Sequence, residues 1–162
     1  MIKQVTKSDF PRIVEVVRKS FMTVAADLNL TEQSSPRFTA FTIGEERLQN
    51  HFNWGWHMYG FYEDEQLIGY VAVSKETDNA YELHNLAVLP QHRHKGHGTR
   101  MLDFCKERVK EAGGTKIILG IIEENAILKK WYIENGFVHT GTKKFDFLPF
   151  TCGYMEYKIK SQ

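Results

Sequence analysis

Leu86-Ala87-Val88-Leu89-Pro90-Gln91-His92-Arg93-His94-Lys95-Gly96-His97-Gly98-Thr99-Arg100 joins an apolar, strand-like run to an amphipathic, helix-like one. Gly96 and Gly98 let the backbone turn sharply and approach a ligand closely. A helix that starts there presents unpaired N–H groups and the positive end of its dipole, a geometry suited to a pyrophosphate. Arg93 and Lys95 place fixed positive charge beside it. The Walker pattern GxxxxGK[ST] is absent, and the dinucleotide fingerprint GxGxxG would need glycine where Met101 stands. The bland alternative is a glycine-rich connection with a solvated basic rim. His92, His94 and His97 have no carboxylate or cysteine partner at metal-ligand spacing, and the neighbouring cations oppose a metal, so they read as a solvated histidine cluster.

Strand periods lie before this loop. Met58 to Tyr62, Leu67 to Lys75 and Ala80 to Val88 are separated by polar turns at 63–66 and 76–79, which predicts an antiparallel meander. Beyond it, His97 to Ala112 carries Met101, Leu102, Cys105, Val109 and Ala112 on one helical face and stops at Gly113-Gly114. Cys105 therefore reads as core rather than nucleophile. Thr115 to Ile122 is continuously apolar, as expected of a strand buried on both faces, and Asn125 to Asn135 reads as a helix ended by Gly136. Strand, helix, strand implies a parallel crossover. Phe137 to Lys144 and Gly153 to Lys160 complete a hairpin across an aromatic loop at 145–150. At the N-terminus, a strand at Ile2 to Val5 precedes a helix with Ile13, Val14, Val17 and Phe21 inward. The stretch Val24 to Phe41 is irregular, and a further helix is expected from Gly44 to Phe52. The pattern gives a mixed α/β fold: a central, mostly antiparallel sheet with one parallel strand pair and flanking helices.

The chain has 162 residues, 42% hydrophobic and 25% charged, which fits a single domain over residues 1–162 and disfavours disorder. Lys plus Arg number 21 against 20 Asp plus Glu, a formal charge of +1. That balance argues against a dedicated nucleic-acid or polybasic membrane partner, so any anion site must be local. Cys105 and Cys152 are too few for a disulfide framework and lack zinc-ligand spacing. No signal-peptide core follows Met1, and no apolar run approaches the roughly 18 residues of a membrane span. A cytoplasmic protein is expected.

Leu86-Ala87-Val88, then Arg93-x-x-Gly96-x-Gly98, Asn125 and Tyr132-x-x-x-Gly136-Phe137 resemble the GNAT superfamily of acetyl-coenzyme A dependent N-acetyltransferases, with the motifs in family order between Tyr81 and Phe137. The resemblance implies that Ala80 to Val88 and Thr115 to Ile122 splay apart and that the pantetheine arm pairs with the backbone of Leu86, Ala87 and Val88. It further implies that Arg93, His94, Lys95, Gly96, His97, Gly98 and Thr99 wrap the pyrophosphate. Asn125 contacts pantetheine or fixes the helix start, since Asn is also a favoured N-cap. Acetyl-CoA is the implied co-substrate, an amine-bearing molecule, peptide or protein the acceptor, and no metal is called for. A homodimer is left open.

Tyr132 matches the family's general acid, with a core aromatic as the plain alternative. For the base, alternation along the strand puts Glu82, His84, Leu86 and Val88 on one face and Tyr81, Leu83, Asn85 and Ala87 on the other. Glu82 is preferred and His84 is second. A backbone N–H near Val88 would hold the oxyanion. No GxSxG elbow is present and neither cysteine has an activating context, so direct attack by the amine is expected rather than an acyl-enzyme. The resemblance implies that Phe38, Phe41, Phe52, Trp54, Trp56, Tyr59, Phe145, Phe147 and Phe150 fall in segments bordering the acceptor side, with core packing as the plain alternative. Asp27, Glu32, Glu63 and Asp64 are candidates to attract a cationic amine. The rival of another class is a non-catalytic acyl-CoA binding or sensing module, which needs the loop but not Tyr132, Glu82 or His84.

Overall fold

A computed structural model describes residues 1–161. The elements follow in the order β1 (Ile2–Gln4), α1 (Phe10–Asp27), α2 (Thr39–Thr42), α3 (Glu45–Asn53), β2 (His57–Glu63), β3 (Gln66–Lys75), β4 (Ala80–Val88), α4 (His97–Glu111), β5 (Lys116–Ile122), α5 (Ala126–Glu134), β6 (Val138–Lys144) and β7 (Thr151–Lys158). All seven strands form one sheet in the order β1-β2-β3-β4-β5-β7-β6. Every pairing is antiparallel except β4 with β5. The mixed fold with a single parallel pair is the one the sequence pattern predicts.

Helices cover both faces. Gly69 of β3 is the register partner of Val88, and a Cβ on Gly69 would lie 2.8 Å from Met101 of α4, so this face belongs to α4. α1 packs on β3 and β4 from the other side, burying Ile13, Val16 and Val17. It extends to Asp27, further than the apolar pattern to Phe21 indicates, and Asn29 at φ 56° then turns the chain away. The irregular stretch that follows has a small core of its own, in which Ala25, Phe38 and Ala40 gather Phe21, Phe41 and Ile122.

Two expectations about the strands need correction. β5 is not buried on both faces: Ile117, Leu119 and Ile121 are buried, whereas Ile118 and Ile122 are half-buried and Gly120 is exposed. The helix on that side sits over β3 and β4, and β5 reaches its cover only at Ile122. Simple alternation also fails in β4. Tyr70 pairs with Ala87 and Ala72 with His84, so Asn85 and Leu86 together oppose Val71. This is a β-bulge, with Asn85 at φ 55°, a conformation that Asn tolerates better than most residues. The extra residue inverts the alternation. Glu82 and His84 therefore share the α1 face with Ala87, and Leu86 and Val88 turn to the α4 face.

Candidate active site

β4 and β5 are paired only through Ala80–Lys116, Tyr81–Ile117 and Glu82–Ile118. Past Glu82 the two strands diverge, while β5 stays paired with β7 as far as Ile122. The β4 edge at Leu86, Ala87 and Val88 thus faces an opening instead of a strand. Backbone donors and acceptors along such an edge need a partner, and an extended chain carrying amides supplies one.

The opening leads to the loop before α4. Pro90–His92 forms a 3-10 turn, His94 takes φ 62°, and Gly96 at φ 81° is the N-cap of α4 with no side chain to cap it. The first helical N–H to find a carbonyl is that of Arg100, bonded to Gly96. Those of His97, Gly98 and Thr99 precede the first helical hydrogen bond. A Cβ at Gly96 would meet nothing within 4 Å, so there is room for a ligand, and His94, Lys95 and Gly96 are exposed. These features fit a pyrophosphate.

Two side chains in the loop behave differently from expectation. The Arg93 guanidinium turns to α1, donating to Thr23 Oγ1 at 3.0 Å and to the carbonyl and hydroxyl of Ser20, both at 3.0 Å. Its charge anchors the loop rather than standing free beside it. His97 is not solvated: its ring is buried against Phe61, 4.5 Å between centroids, and neither ring nitrogen has a hydrogen-bond partner. Burial lowers its pKa. The helical register that starts at His97 turns this side chain inward, leaving its backbone to the loop.

Tyr132 lies in α5, packed edge-on against Trp131 and Phe137 at 5.0 and 5.3 Å. Its ring is core, and burial raises its hydroxyl pKa with no hydrogen bond contributing. Trp131 reaches Gly98, where a Cβ would lie 3.2 Å from its ring, so α5 packs on the first turn of α4. Asn125 adopts the capping role: Oδ1 accepts the Leu128 N–H at 3.2 Å. Cys105 is fully buried, which pushes its thiol up to about 12 and matches the reading as core.

On the α1 face, Glu82 and His84 sit in a polar cluster. Ser74 Oγ donates to Glu76 Oε1 at 2.6 Å and lies 2.7 Å from His84 Nε2, which is 3.5 Å from Glu82 Oε2. Burial, reinforced by Glu76, raises the Glu82 pKa. Desolvation lowers that of His84 to about 4. Trp56 stacks between His84 and His51, with both centroid distances 3.9 Å. Glu76, Glu82 and His84 each offer a ligand atom, all within 4.8 Å of one another, but Ser74 already bonds two of the three. Ser74, Glu76 and His51 escaped the sequence reading. The hairpin register that pairs Ser74 with Glu82 across the 76–79 turn is the signal that would have found the first two.

The aromatic and acidic candidates divide. Trp56 joins the cluster, and Arg37 lies 4.7 Å over the Phe147 ring, linking the β6–β7 loop to the segment before α2. Tyr59 packs on Phe104 of α4, away from the α1 face, and Trp54 is largely exposed. Glu63 faces His92 and His97, and Asp27 acts on Arg93, so neither stands beside Glu82.

The sequence profile of the Acetyltransferase (GNAT) family matches residues 26–137. An uncharacterized N-acetyltransferase from the pepI 3' region of Lactobacillus delbrueckii subsp. lactis is 26% identical over 143 residues, 83% of this chain and 82% of that protein. The spermidine N(1)-acetyltransferase of Thermoplasma acidophilum is 25% identical over 152 residues, 91% of this chain and 93% of that one. The PaiA N-acetyltransferase of the same organism, solved with coenzyme A, has the same fold, with a TM-score of 0.85 over 98% of each chain at 22% identity. With its motifs in order, its parallel strands splayed and the family profile matched over more than half its length, the chain belongs to the acetyltransferase (GNAT) family.

Proposed function

We propose that this acetyl-CoA-dependent N-acetyltransferase acts on a small cationic amine, and that residues 1–162 work as one cytoplasmic domain. The reading rests on one observation above all: a row of side chains across the α1 face at the opening between β4 and β5. Ser74, Glu82, Ile118 and Glu156 are successive register partners, so two carboxylates flank Ile118, with Lys116 Nζ 3.9 Å from that of Glu156. Carboxylates there attract an ammonium group. The likeness to a spermidine N(1)-acetyltransferase supports the same acceptor class.

Acetyl-CoA supplies the acetyl thioester. In this reading the backbone of Leu86, Ala87 and Val88 pairs with the pantetheine amides, and the N–H groups from His94 to Thr99 bind the phosphates, with Arg93 holding that loop to α1. Asn125 sets the start of α5. Glu82 or His84 removes a proton from the bound ammonium. The freed amine nitrogen attacks the thioester carbonyl carbon and a backbone N–H near Val88 stabilises the oxyanion; as the intermediate collapses, the C–S electron pair leaves on sulfur and the second nitrogen proton passes to that thiolate. A phenol near pKa 10 is already a weaker acid than a thiol near 8.5, and burial of Tyr132 widens that gap. Its hydroxyl therefore donates a hydrogen bond to the departing thiolate instead of surrendering the proton.

Thiol release from acetyl-CoA, followed over a panel of polyamines, monoamines and peptides, tests the proposal. Polyamines should turn over best, and Tyr132→Phe should lower kcat by about 100-fold while leaving acetyl-CoA affinity unchanged. Acetyl-CoA binding with no turnover on any amine would point to the non-catalytic module. A preference for neutral or acidic acceptors would rule out the cationic class.

A further inference from the structure

The polar cluster on the α1 face has more order than a proton acceptor alone requires. Ser74 is buried, and its single hydroxyl proton goes to the Glu76 carboxylate at 2.6 Å. An ionised carboxylate can only accept. With the Ser74 proton on Glu76, Ser74 Oγ offers His84 Nε2, 2.7 Å away, a lone pair, which suits an Nε2 that carries the hydrogen. With the Glu76 carboxylate as the terminal acceptor, the chain runs from His84 Nε2–H to Ser74 and from Ser74 O–H to Glu76.

That direction decides which atom of His84 is basic. With Nε2 protonated, the neutral ring keeps its lone pair on Nδ1. The buried ring nitrogens without partners among the described residues belong to His51, His92 and His97, and His84 Nδ1 is not among them. Its ring keeps 18% of the side chain exposed, and Trp56 stacked at an interplanar angle of 11° prevents the ring from turning.

We infer that Glu76 and Ser74 are positioning residues that hold His84 as the Nε2–H tautomer and leave Nδ1 as the atom that accepts the proton of the acceptor ammonium. This rests on the acetyltransferase reading of the site and selects His84 over Glu82 as the catalytic base. On transfer, the ammonium N–H bond breaks, an Nδ1–H bond forms, and the positive charge moves onto the imidazole. The Nε2–H···Oγ–H···carboxylate chain then becomes charge-assisted at both ends, which favours the imidazolium only when it forms. After turnover Nδ1 returns the proton to water. The titratable groups around the ring are Glu76 from the β3–β4 turn, Glu82 on β4, and His51 of α3 across Trp56, with Arg47 behind His51. The buried face of α1 is apolar apart from Ser20.

Glu76→Gln keeps an acceptor for Ser74 and removes the charge, and since Glu76 is exposed the variant should fold. It should lower kcat about 10- to 100-fold, leave KM for acetyl-CoA unchanged, and move the acid limb of the kcat profile to lower pH. Ser74→Ala should cost as much, and Ser74→Thr, which restores the hydroxyl, should recover most of it. Long-range proton–nitrogen spectra of the histidine rings, with His84 assigned by its loss in His84→Gln, should show Nε2–H alone in the wild type and a mixture of tautomers in Ser74→Ala. An Nδ1–H tautomer in the wild type, or an acid limb that stays in place in Glu76→Gln, overturns the inference. If the wild type acetylates no amine, the functional reading fails, yet the ring spectra still decide whether the chain holds His84 as stated.

Discussion

Three hydrogen bonds of 3.0 Å tie the Arg93 guanidinium to Thr23 and Ser20, and with them the loop before α4 to α1. Burial lowers the pKa of the guanidinium, and Asp27 opposes that shift. Arg93→Met, which keeps the aliphatic stem, should cost about 1.5–3 kcal/mol, since bonds to charged groups are worth about that much. Thermal melting should drop by about 2–4 °C for each kcal/mol lost, and acetyl-CoA affinity should weaken with it. An unchanged melting temperature with weaker binding would instead return the guanidinium to the phosphates. The sequence marked Arg93 as fixed charge beside the loop, and the structure turns its guanidinium to α1. Charge type is written in the chain, but the direction of a long side chain depends on a helix 70 residues away. His97 shows the same limit, because its burial follows from Phe61 on a distant strand.

At the scale of elements, the bulge in β4 carries the site. Asn85 at φ 55° lets two residues oppose Val71, which turns Leu86 and Val88 to the α4 face while Glu82 and His84 stay on the α1 face. Asn85→Val should destabilise the protein by about 1–2 kcal/mol, because a β-branched residue resists the left-handed region, whereas Asn85→Gly should be close to neutral. Urea midpoints measure the difference, and acetyl-CoA KM should rise only in the valine variant. If valine is accepted without cost, the bulge is not set by that dihedral. Ala80 to Val88 was legible as a strand to the residue, since its length and flanking turns are local signals. The bulge inside it was not. The apolar positions change phase there, from Tyr81 and Leu83 to Leu86 and Val88, but so short a run reads equally as plain alternation with one polar residue, and the location of the bulge is set by pairing with β3.

Across the whole molecule, His51 and His84 act together on pH stability. Both have folded-state pKa values lowered to about 4, chiefly by desolvation. The unfolded chain binds protons near pH 6.5 while the folded one does not, so stability is complete above that pH and is lost as pH falls toward 4. Glu15 and Glu123, lowered by their hydrogen bonds to cations, extend the loss below about 4.5. His51→Phe preserves the stack on Trp56 and removes one proton site. Melting curves between pH 7 and pH 4.5 should be flatter for this variant than for the wild type, and equal slopes would exclude His51 from the effect.

The order of elements, the parallel crossover, the glycine-rich loop before α4 and the family are all legible in the chain. These rest on short-range rules: glycine and proline punctuation, two kinds of hydrophobic period, and motifs that span few residues. The tertiary structure decided which side chains meet. Glu76, Ser74 and His84 lie on separate stretches of one hairpin, and Trp56 and His51 come from elsewhere in the chain. Register, a bulge and helix placement bring them together, and each is fixed by contacts between residues too far apart for any local pattern to record.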